Sequence, residues 1–195
     1  DYPFIHHMIK AGYTGRKGKG GFYRLDPASG GKKTKQALAV HAEAFEESHY
    51  RSADKPKLVS ADAGKNGLRA VVEADDEGGR YAWKVLSKTL AYAASLAPEI
   101  ADNIFAVDEA MKLGYNWKKG PFEMIDALGP SWFAERLKEE GIAVPALVKK
   151  VGDGTFYKVE DGRLHYFGTD GKYRKVERPE GVLLLSDLKL SAKPL

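Results

Sequence analysis

Three carboxylates in the middle of the chain, Asp108, Glu123 and Asp126, are of the type that transfers protons in general acid–base catalysis. Gly120 and Pro121 predict a helix that begins just before Glu123, whereas Asp108 falls on the preceding helix. An acidic side chain in a first helical turn is stabilised by the positive end of the helix dipole. We therefore interpret these carboxylates as capping and packing groups, and we predict no catalytic residue.

The histidines do not form a metal-ligating pattern. His6 and His7 are adjacent, and neighbouring side chains on a helix diverge by about 100°, so they do not converge on one ion. His41, His49 and His165 fall on separate predicted elements without ligand spacing. The sequence therefore predicts no metal site.

The glycine-rich segment Gly15–Gly21 superficially resembles a phosphate-binding loop. It lacks the terminal Gly-Lys-Ser/Thr sequence and a preceding strand, which a phosphate loop of that kind requires. We predict a mobile loop at this place. Lys118 and Lys119 precede a predicted helix start, where positive charge is unfavourable by several tenths of a kcal/mol. Both an anionic partner and exposure to solvent would account for these two lysines.

The bulk composition indicates a globular protein. Of 195 residues, 43% are hydrophobic and 30% are charged, and the longest apolar runs are far shorter than the roughly 18–20 residues of a membrane span. The chain contains no cysteine, which excludes disulfides and thiolate metal sites. The net charge of +4 is spread among interspersed acidic and basic residues, which is typical of a solvated surface. With no signal-peptide pattern at the start, we expect a cytoplasmic protein.

Hydrophobic periodicity predicts a mainly α fold. An interior proline breaks a helix but is favoured in a first turn, so Pro98 should separate two helices, the second of which should end at Gly114. Gly12 should end a helix that contains Phe4–Ile9. The other predicted helices are Lys35–His49, Tyr81–Leu96, Pro98–Leu113, Pro121–Leu128 and Ser131–Glu140.

The last fifty residues change character. Segments 155–159, 163–167 and 172–176 are rich in aromatic and β-branched residues, and Asp-Gly pairs at 161–162 and 170–171 separate them. This pattern predicts a small antiparallel β-meander near the C-terminus. The run Val182–Leu185 predicts one further buried strand. Because the meander interleaves tyrosines with basic residues, an alternative is a nucleic-acid-binding module in which Tyr157, Tyr166 and Tyr173 stack on bases.

Two segments resemble a known family. The first combines Asp108, Ala110-Met111, Gly114, the turn Gly120-Pro121-Phe122-Glu123, Asp126 and Gly129. It resembles the signature of the C-terminal domain of 3-hydroxyacyl-CoA dehydrogenases. The second runs from Gly15-Arg16-Lys17 to Gly20-Gly21-Phe22-Tyr23 and is similar to the glycine-rich, Gly-Phe-Tyr ending of the same domain. The resemblance implies that the turn Gly120, Pro121 and Phe122 is mainly structural.

The order of the two segments is informative, because the ending precedes the turn. This order resembles the multifunctional β-oxidation proteins, in which the helical domain is duplicated and an enoyl-CoA hydratase module is fused to the chain. The resemblance implies that residues 1–25 are the tail of a first helical repeat, 26–75 a linker with one helix, 76–147 a second helical repeat, and 148–195 the meander and a connector to a downstream module. Gly154–Tyr157 would be a degenerate ending of the second repeat.

The resemblance implies an enzyme of fatty-acid oxidation that uses NAD to oxidise 3-hydroxyacyl-CoA to 3-oxoacyl-CoA. This chain has no Gly-x-Gly-x-x-Gly after a strand, and none of its histidines has the family's catalytic context. We therefore expect NAD to bind elsewhere in a longer protein and this segment to be inactive alone. Its expected roles are to shape the acyl-CoA cleft, with an upstream domain, and to mediate association as a homo-oligomer.

Overall fold

The computed structural model describes residues 2–30, 34–40, 45–53 and 57–191. The chain divides into two compact units, residues 1–57 and residues 58–195. Each has its own hydrophobic core and its own three-stranded antiparallel sheet. The predicted fold class, mainly α with a small β-meander near the C-terminus, is confirmed, and the sheet of the first unit is an addition to it.

The first unit consists of a helix followed by a sheet with the order β1-β2-β3. Its core contains Met8, Tyr13, Leu38 and Tyr50. Gly12 ends the helix as predicted, with a positive φ of 86°. The elements are α1 (Pro3–Lys10), β1 (Tyr23–Leu25), β2 (Lys35–Leu38) and β3 (Tyr50–Ser52), with a 3₁₀ turn at Glu47–His49.

The predicted helix Lys35–His49 is wrong where the structure describes it. Residues 35–38 form the central strand β2, which pairs with β1 on one side and β3 on the other. The alanines of this segment favour a helix only weakly, and pairing on both edges together with burial of Leu38 overrides that preference. Residues 41–44 of the predicted helix lie outside the described residues.

The second unit is a helical assembly that carries a sheet with the order β4-β5-β6. Its fully buried side chains include Leu90, Ile104, Phe122, Phe133 and Phe156. The elements are α2 (Val59–Ala63), α3 (Leu68–Glu73), α4 (Glu77–Ile100), α5 (Ile104–Tyr115), α6 (Pro121–Leu128), α7 (Pro130–Glu139), α8 (Ala146–Val151), β4 (Tyr157–Glu160), β5 (Arg163–Phe167), β6 (Tyr173–Lys175) and α9 (Leu185–Ser191). Residues 26–75, predicted as a linker with one helix, thus contain β2, β3, α2 and α3. No helix among the described residues is long and apolar enough to cross a membrane.

The helices before the glycine-proline turn differ from the prediction in their boundaries. Helix α4 begins at Glu77 rather than Tyr81 and continues through Pro98 to Ile100, so the proline lies in the last turn of α4 and not in the first turn of a new helix. Helix α5 begins instead at the cap formed by Asn103, whose Oδ1 accepts the Ala106 N–H at 2.8 Å. It ends at Asn116, which has a left-handed φ of 56°, and not at Gly114. The predicted helices at 121–128 and 131–140 are confirmed within one residue.

The meander is confirmed, with Asp161 and Gly162 both at positive φ as a type I′ turn requires. The predicted strand Val182–Leu185 is wrong. Residues 182–184 form neither strand nor helix, Leu185 begins α9, and the four side chains are 38–74% exposed. A short apolar run cannot be assigned to strand or helix by periodicity alone.

The two sheets share one hydrogen-bonding register. Tyr23 pairs with Ala37 as Tyr157 pairs with Tyr166. The N–H of Leu38 donates to Phe22 O at 2.8 Å, and in the second sheet the N–H of Phe167 donates to Phe156 O at 2.8 Å. The third strands follow the same register, with pairs Leu38–Tyr50 and Phe167–Tyr173.

Side chains repeat the same correspondence. The Tyr50 hydroxyl donates to the carbonyl of Gly21, and the Tyr173 hydroxyl donates to the equivalent carbonyl of Thr155. The Arg24 guanidinium lies 3.9 Å from the centre of the Tyr50 ring. The equivalent Lys158 ammonium lies 4.3 Å from the centre of the Tyr173 ring. The Gly-x-Phe-Tyr sequences at 20–23 and 154–157 therefore open two sheets of the same construction.

Candidate functional site

The centre of the family-like segment is the buried carboxylate of Asp108 on α5. Asp108 is 0% exposed and accepts three hydrogen bonds. Two come from the N–H groups of Phe122 and Glu123, at 2.9 and 3.0 Å, and the third comes from the Tyr157 hydroxyl at 2.9 Å. Asp108 thus satisfies the first N–H groups of α6 from a neighbouring helix, in the place that an N-cap side chain usually fills.

Gly120 allows this arrangement because it has no side chain. A Cβ at Gly120 would collide with the Cα, Cβ and Cγ of Asp108. The N–H of Gly120 donates to the Glu123 carboxylate at 2.8 Å, so Glu123 closes the same helix end from within. Gly120, Pro121 and Phe122 are all buried. The capping role predicted for Asp108 and Glu123 is confirmed.

Glu123 also joins a surface ion-pair group. The Lys112 ammonium lies 2.6 Å from Glu109 and 2.7 Å from Glu123, and so links α5 to the start of α6. Burial lowers the pKa of Lys112, but the two carboxylates outweigh it and the net shift of the pKa is upward. Lys112 is therefore a permanent cation that neutralises the acidic helix start.

A second carboxylate, the half-buried Asp126 on α6, holds the beginning of the meander. It accepts the N–H groups of Phe156 and Tyr157 at 2.6 and 2.8 Å. The Phe156 ring is 0% exposed and packs edge-on against Phe122 at 4.9 Å. Asp108 and Asp126 together fix strand β4 through two backbone N–H groups and one hydroxyl.

The electrostatics of this cluster follow from burial. Desolvation raises the pKa of Asp108 to about 6, although the N–H donors of Phe122 and Glu123 oppose the shift. Desolvation also raises the pKa of Asp126 to about 6, against the N–H donors of Phe156 and Tyr157. The pKa of the Tyr157 hydroxyl rises by burial and by the adjacent Asp108, so Tyr157 remains a donor. At neutral pH the cluster therefore holds two carboxylates whose acceptor positions point at protein donors.

An open apolar groove of about 600 Å³ lies beside the same segment. Its side-chain lining includes Leu68 and Val71 on α3, Leu86 on α4, and Trp117 and Met124 next to the glycine-proline turn. Lys118 and Lys119 border the groove, both exposed and, among the described residues, without an ion-pair partner within 4.0 Å. Pockets of this size with an apolar wall and a few charged groups are typical of small-molecule sites.

The predicted non-ligating histidines lie on different elements. His6 and His7 are exposed on α1, His49 lies on the 3₁₀ turn, and His165 lies on β5, whereas His41 is outside the described residues. In the described part of the chain there is no group of three His, Cys, Asp or Glu side chains that could hold a metal ion.

Two of the three tyrosines of the nucleic-acid hypothesis, Tyr157 and Tyr173, have intramolecular partners. Tyr157 donates to Asp108, and Tyr173 donates to the Thr155 carbonyl at 2.6 Å while its ring lies under Lys158. These rings do not form a row of free stacking platforms of the kind that single-strand binders present. The nucleic-acid alternative gains no support.

Comparison with curated proteins decides the relationship. The chain is 35% identical over 189 residues to a Bacillus subtilis (strain 168) protein named "Probable 3-hydroxyacyl-CoA dehydrogenase". This chain is homologous to a segment of proteins that are named as 3-hydroxyacyl-CoA dehydrogenase or fatty-acid oxidation enzymes. The match covers 95% of this chain but 23% of the Bacillus subtilis protein. The resemblance predicted from the two motifs is confirmed.

Two further relatives carry the name "Putative fatty acid oxidation complex trifunctional enzyme". The Rickettsia felis protein is 32% identical and the match covers 81% of this chain and 20% of that protein. The Rickettsia prowazekii protein is 34% identical, over 60% of this chain and 15% of that protein. The chain thus spans about a quarter or less of the length of these relatives. No family model matches it, and no solved structure gives a significant match.

The sequence predicts the turn Gly120-Pro121-Phe122 but not the contact of Tyr157 with Asp108 beside it. The sequence places Tyr157 in a degenerate ending of the second repeat or, alternatively, among base-stacking tyrosines. In the structure its hydroxyl donates a hydrogen bond to Asp108, 49 residues earlier in the chain. The repeated Gly-x-Phe-Tyr sequence is the signal for this contact, because its second copy follows the helices that carry Asp108 and Asp126.

Proposed function

We propose that this chain is a non-catalytic segment of an NAD-dependent 3-hydroxyacyl-CoA dehydrogenase of fatty-acid oxidation, working in the cytoplasm. The observation that carries the proposal is the 35% identity over 95% of the chain to a protein of that name. The full enzyme would oxidise 3-hydroxyacyl-CoA to 3-oxoacyl-CoA. The names of the Rickettsia relatives support a multifunctional protein.

The residues of this chain do not fit NAD. A dinucleotide pyrophosphate is held by a glycine turn that leads from a strand into a helix N-terminus. Here the glycine-rich residues 15–21 lead from helix α1 into strand β1, which is the opposite order and offers no helix N-terminus. The cofactor site would therefore belong to another part of the enzyme, and we derive no step through NAD.

Within that enzyme we propose that the groove forms part of an acyl-CoA cleft. Its apolar lining suits an alkyl chain, and Lys118 and Lys119 suit the phosphates of coenzyme A. The buried cluster around Asp108 would keep the turn that carries these lysines in place. Gly120, Pro121 and Phe122 thus act structurally, and no residue of this chain acts as acid or base.

We also propose that the chain contains the end of one helical repeat and the whole of a second. The common register of the two sheets supports this duplication. Association as a homo-oligomer is part of the proposal, supported by the exposed apolar side chains from Val182 to Leu188.

Binding and activity assays test the proposal. Calorimetry should detect binding of decanoyl-CoA but no binding of NAD, and reduction of acetoacetyl-CoA should stay at background. The Lys118→Glu/Lys119→Glu variant should bind decanoyl-CoA about tenfold or more weakly, since two attractive charges become repulsive. The charge-matched Lys138→Glu/Lys172→Glu variant, whose lysines do not line the groove, should bind as the parent does. Turnover with NADH by this chain, or equal binding by the two variants, would contradict the proposal.

A further inference from the structure

In the second unit, carboxylates accept the hydrogen-bond donors on the outer edge of β4, the first strand of the sheet. The N–H of Tyr157 points away from β5, because Tyr157 occupies a non-hydrogen-bonded pair of the ladder. Asp126 accepts this N–H and that of Phe156, and Asp108 accepts the Tyr157 hydroxyl. The edge strand β4 is therefore closed by two carboxylates from the pair α5–α6.

In the first unit, the equivalent donors lack such acceptors. Tyr23 has the same ladder position as Tyr157, so its N–H also points outward from the edge strand β1. Among the described residues nothing accepts the N–H groups of Phe22 and Tyr23 or the Tyr23 hydroxyl. Phe22 stacks on Phe4 at 6.4 Å but stays 47% exposed, and Tyr23 is 67% exposed, whereas Phe156 is 0% exposed.

The difference does not arise from the strands themselves. The two sheets agree in register, in the tyrosine hydroxyl that binds the carbonyl before the Phe-Tyr pair, and in the cation over that tyrosine ring. Both edges thus present the same three donors beside the same aromatic ring. An exposed edge with unpaired donors is a template for association.

We propose that the outer face of β1, formed by Phe22 and Tyr23, is a docking surface for a second helix pair of the α5–α6 type. This inference rests on the proposed duplication but not on the proposed acyl-CoA chemistry. The partner presents one buried carboxylate to the two adjacent N–H groups, in the role of Asp126. It presents a second carboxylate to the Tyr23 hydroxyl, in the role of Asp108, and an apolar ring or side chain to Phe22.

A second copy of this chain is not the partner. In every copy, the Asp108 and Asp126 carboxylates are already bound to the copy's own Phe156 and Tyr157. The partner is therefore a helix pair with its own pair of aspartates and an unoccupied strand position. A segment of a longer polypeptide with the same Asp and Gly-Pro-Phe-Glu-x-x-Asp sequence meets this description.

A fusion protein provides the test. A copy of residues 58–145 is placed directly before Asp1 of the complete chain. Helix α1 then follows the copy in the same way that helix α8 follows residues 58–145 in the original chain. The copy supplies α5 and α6 without a sheet of its own. If β1 accepts it, the Tyr23 amide should exchange with solvent about tenfold or more slowly in the fusion than in the parent chain.

Variants separate docking from other effects. Tyr23→Phe should lower the melting temperature of the fusion by roughly 2 °C or more and leave that of the parent chain unchanged. Replacing both aspartates of the copy, Asp108→Asn and Asp126→Asn, should restore fast exchange at Tyr23. Unchanged exchange at Tyr23, or a copied segment that stays unfolded although β1 is offered to it, would overturn the docking surface. Neither result would affect the acyl-CoA measurements, which use the parent chain alone.

Discussion

The backbone of Gly120 lies directly against the side chain of Asp108. This contact lets one carboxylate on α5 accept the first N–H groups of α6. The glycine is required by distance and not by conformation, because its φ of −76° is open to every residue. The start of α6 therefore depends on the Asp108 carboxylate, and the position of Asp108 depends on the absence of a side chain at Gly120.

Gly120→Val should destabilise the second unit by more than about 1 kcal/mol, because a side chain there must displace Asp108 from α6. Gly114→Ala is the matched control. Gly114 lies in α5 with open space around it and an ordinary φ, so alanine should stabilise the helix by about 0.5–1 kcal/mol. Urea unfolding measures both, and an unchanged midpoint for the valine variant would disprove the steric argument.

Tyr157→Phe should lower the free energy of unfolding by about 1–2 kcal/mol. The substitution removes one donor from Asp108 and leaves a buried carboxylate with two donors in place of three. Tyr92→Phe is the control, since Tyr92 is 69% exposed and should tolerate the loss of its hydroxyl. Equal midpoints for the two variants in denaturant unfolding would show that the buried hydrogen bond contributes nothing.

Stability should rise as the pH falls from 7 towards 4. The pKa values of Asp108 and Asp126 are about 6 in the folded protein and near 3.8 when unfolded, so the folded state binds protons more tightly in this window. Their stabilising contribution is complete below the unfolded pKa and is lost as the pH rises through about 6. Thermal melts of the parent and of Asp126→Asn should differ in slope between pH 4 and 6, with the variant less steep. Parallel curves would rule out a raised pKa at Asp126.

Asp76→Ala should lower the melting temperature more than Asp75→Ala does. Asp76 caps α4 by accepting the Gly79 N–H at 2.8 Å, and it accepts the Ser60 N–H at 2.9 Å, whereas Asp75 is fully exposed. The backbone donors lower the pKa of Asp76 to about 2. Its contribution is therefore present above the unfolded pKa near 3.8 and is lost as the pH falls through about 2. Differential scanning calorimetry at pH 7 and pH 3 compares the two variants, and the excess effect of Asp76→Ala should shrink at the lower pH.

Features encoded within a few residues could be predicted from the sequence. The Gly120-Pro121 start of α6 and the Asp161-Gly162 hairpin turn follow from local backbone preference, and both are confirmed. Pro98 shows the limit of such rules, because its effect depends on whether it lies inside a helix or in its last turn. The next helix then begins at the Asn103 cap, five residues after the proline.

Features that depend on distant pairing could not be predicted. Residues 35–38 form a strand because two other strands flank them, and those strands are distant from the segment or irregular in sequence, so the segment itself does not reveal the pairing. The contacts of Asp126 with Phe156 and Tyr157 join positions 30 and 31 residues apart. The repeated Phe-Tyr pair suggested that the ending mattered, but only the folded chain shows which acids hold it.

The two hydrogen bonds that Asp126 accepts give the second unit a mechanical property. They join the start of β4 to α6, so the sheet cannot swing away as a separate flap without breaking a charged bond pair and exposing Phe156. Slow opening of the sheet and of α6 should consequently occur as one event. Force applied to the chain after residue 157 would be transmitted through the Asp126 carboxylate to the helices. The small sheet would therefore resist separation of the helices in the second unit.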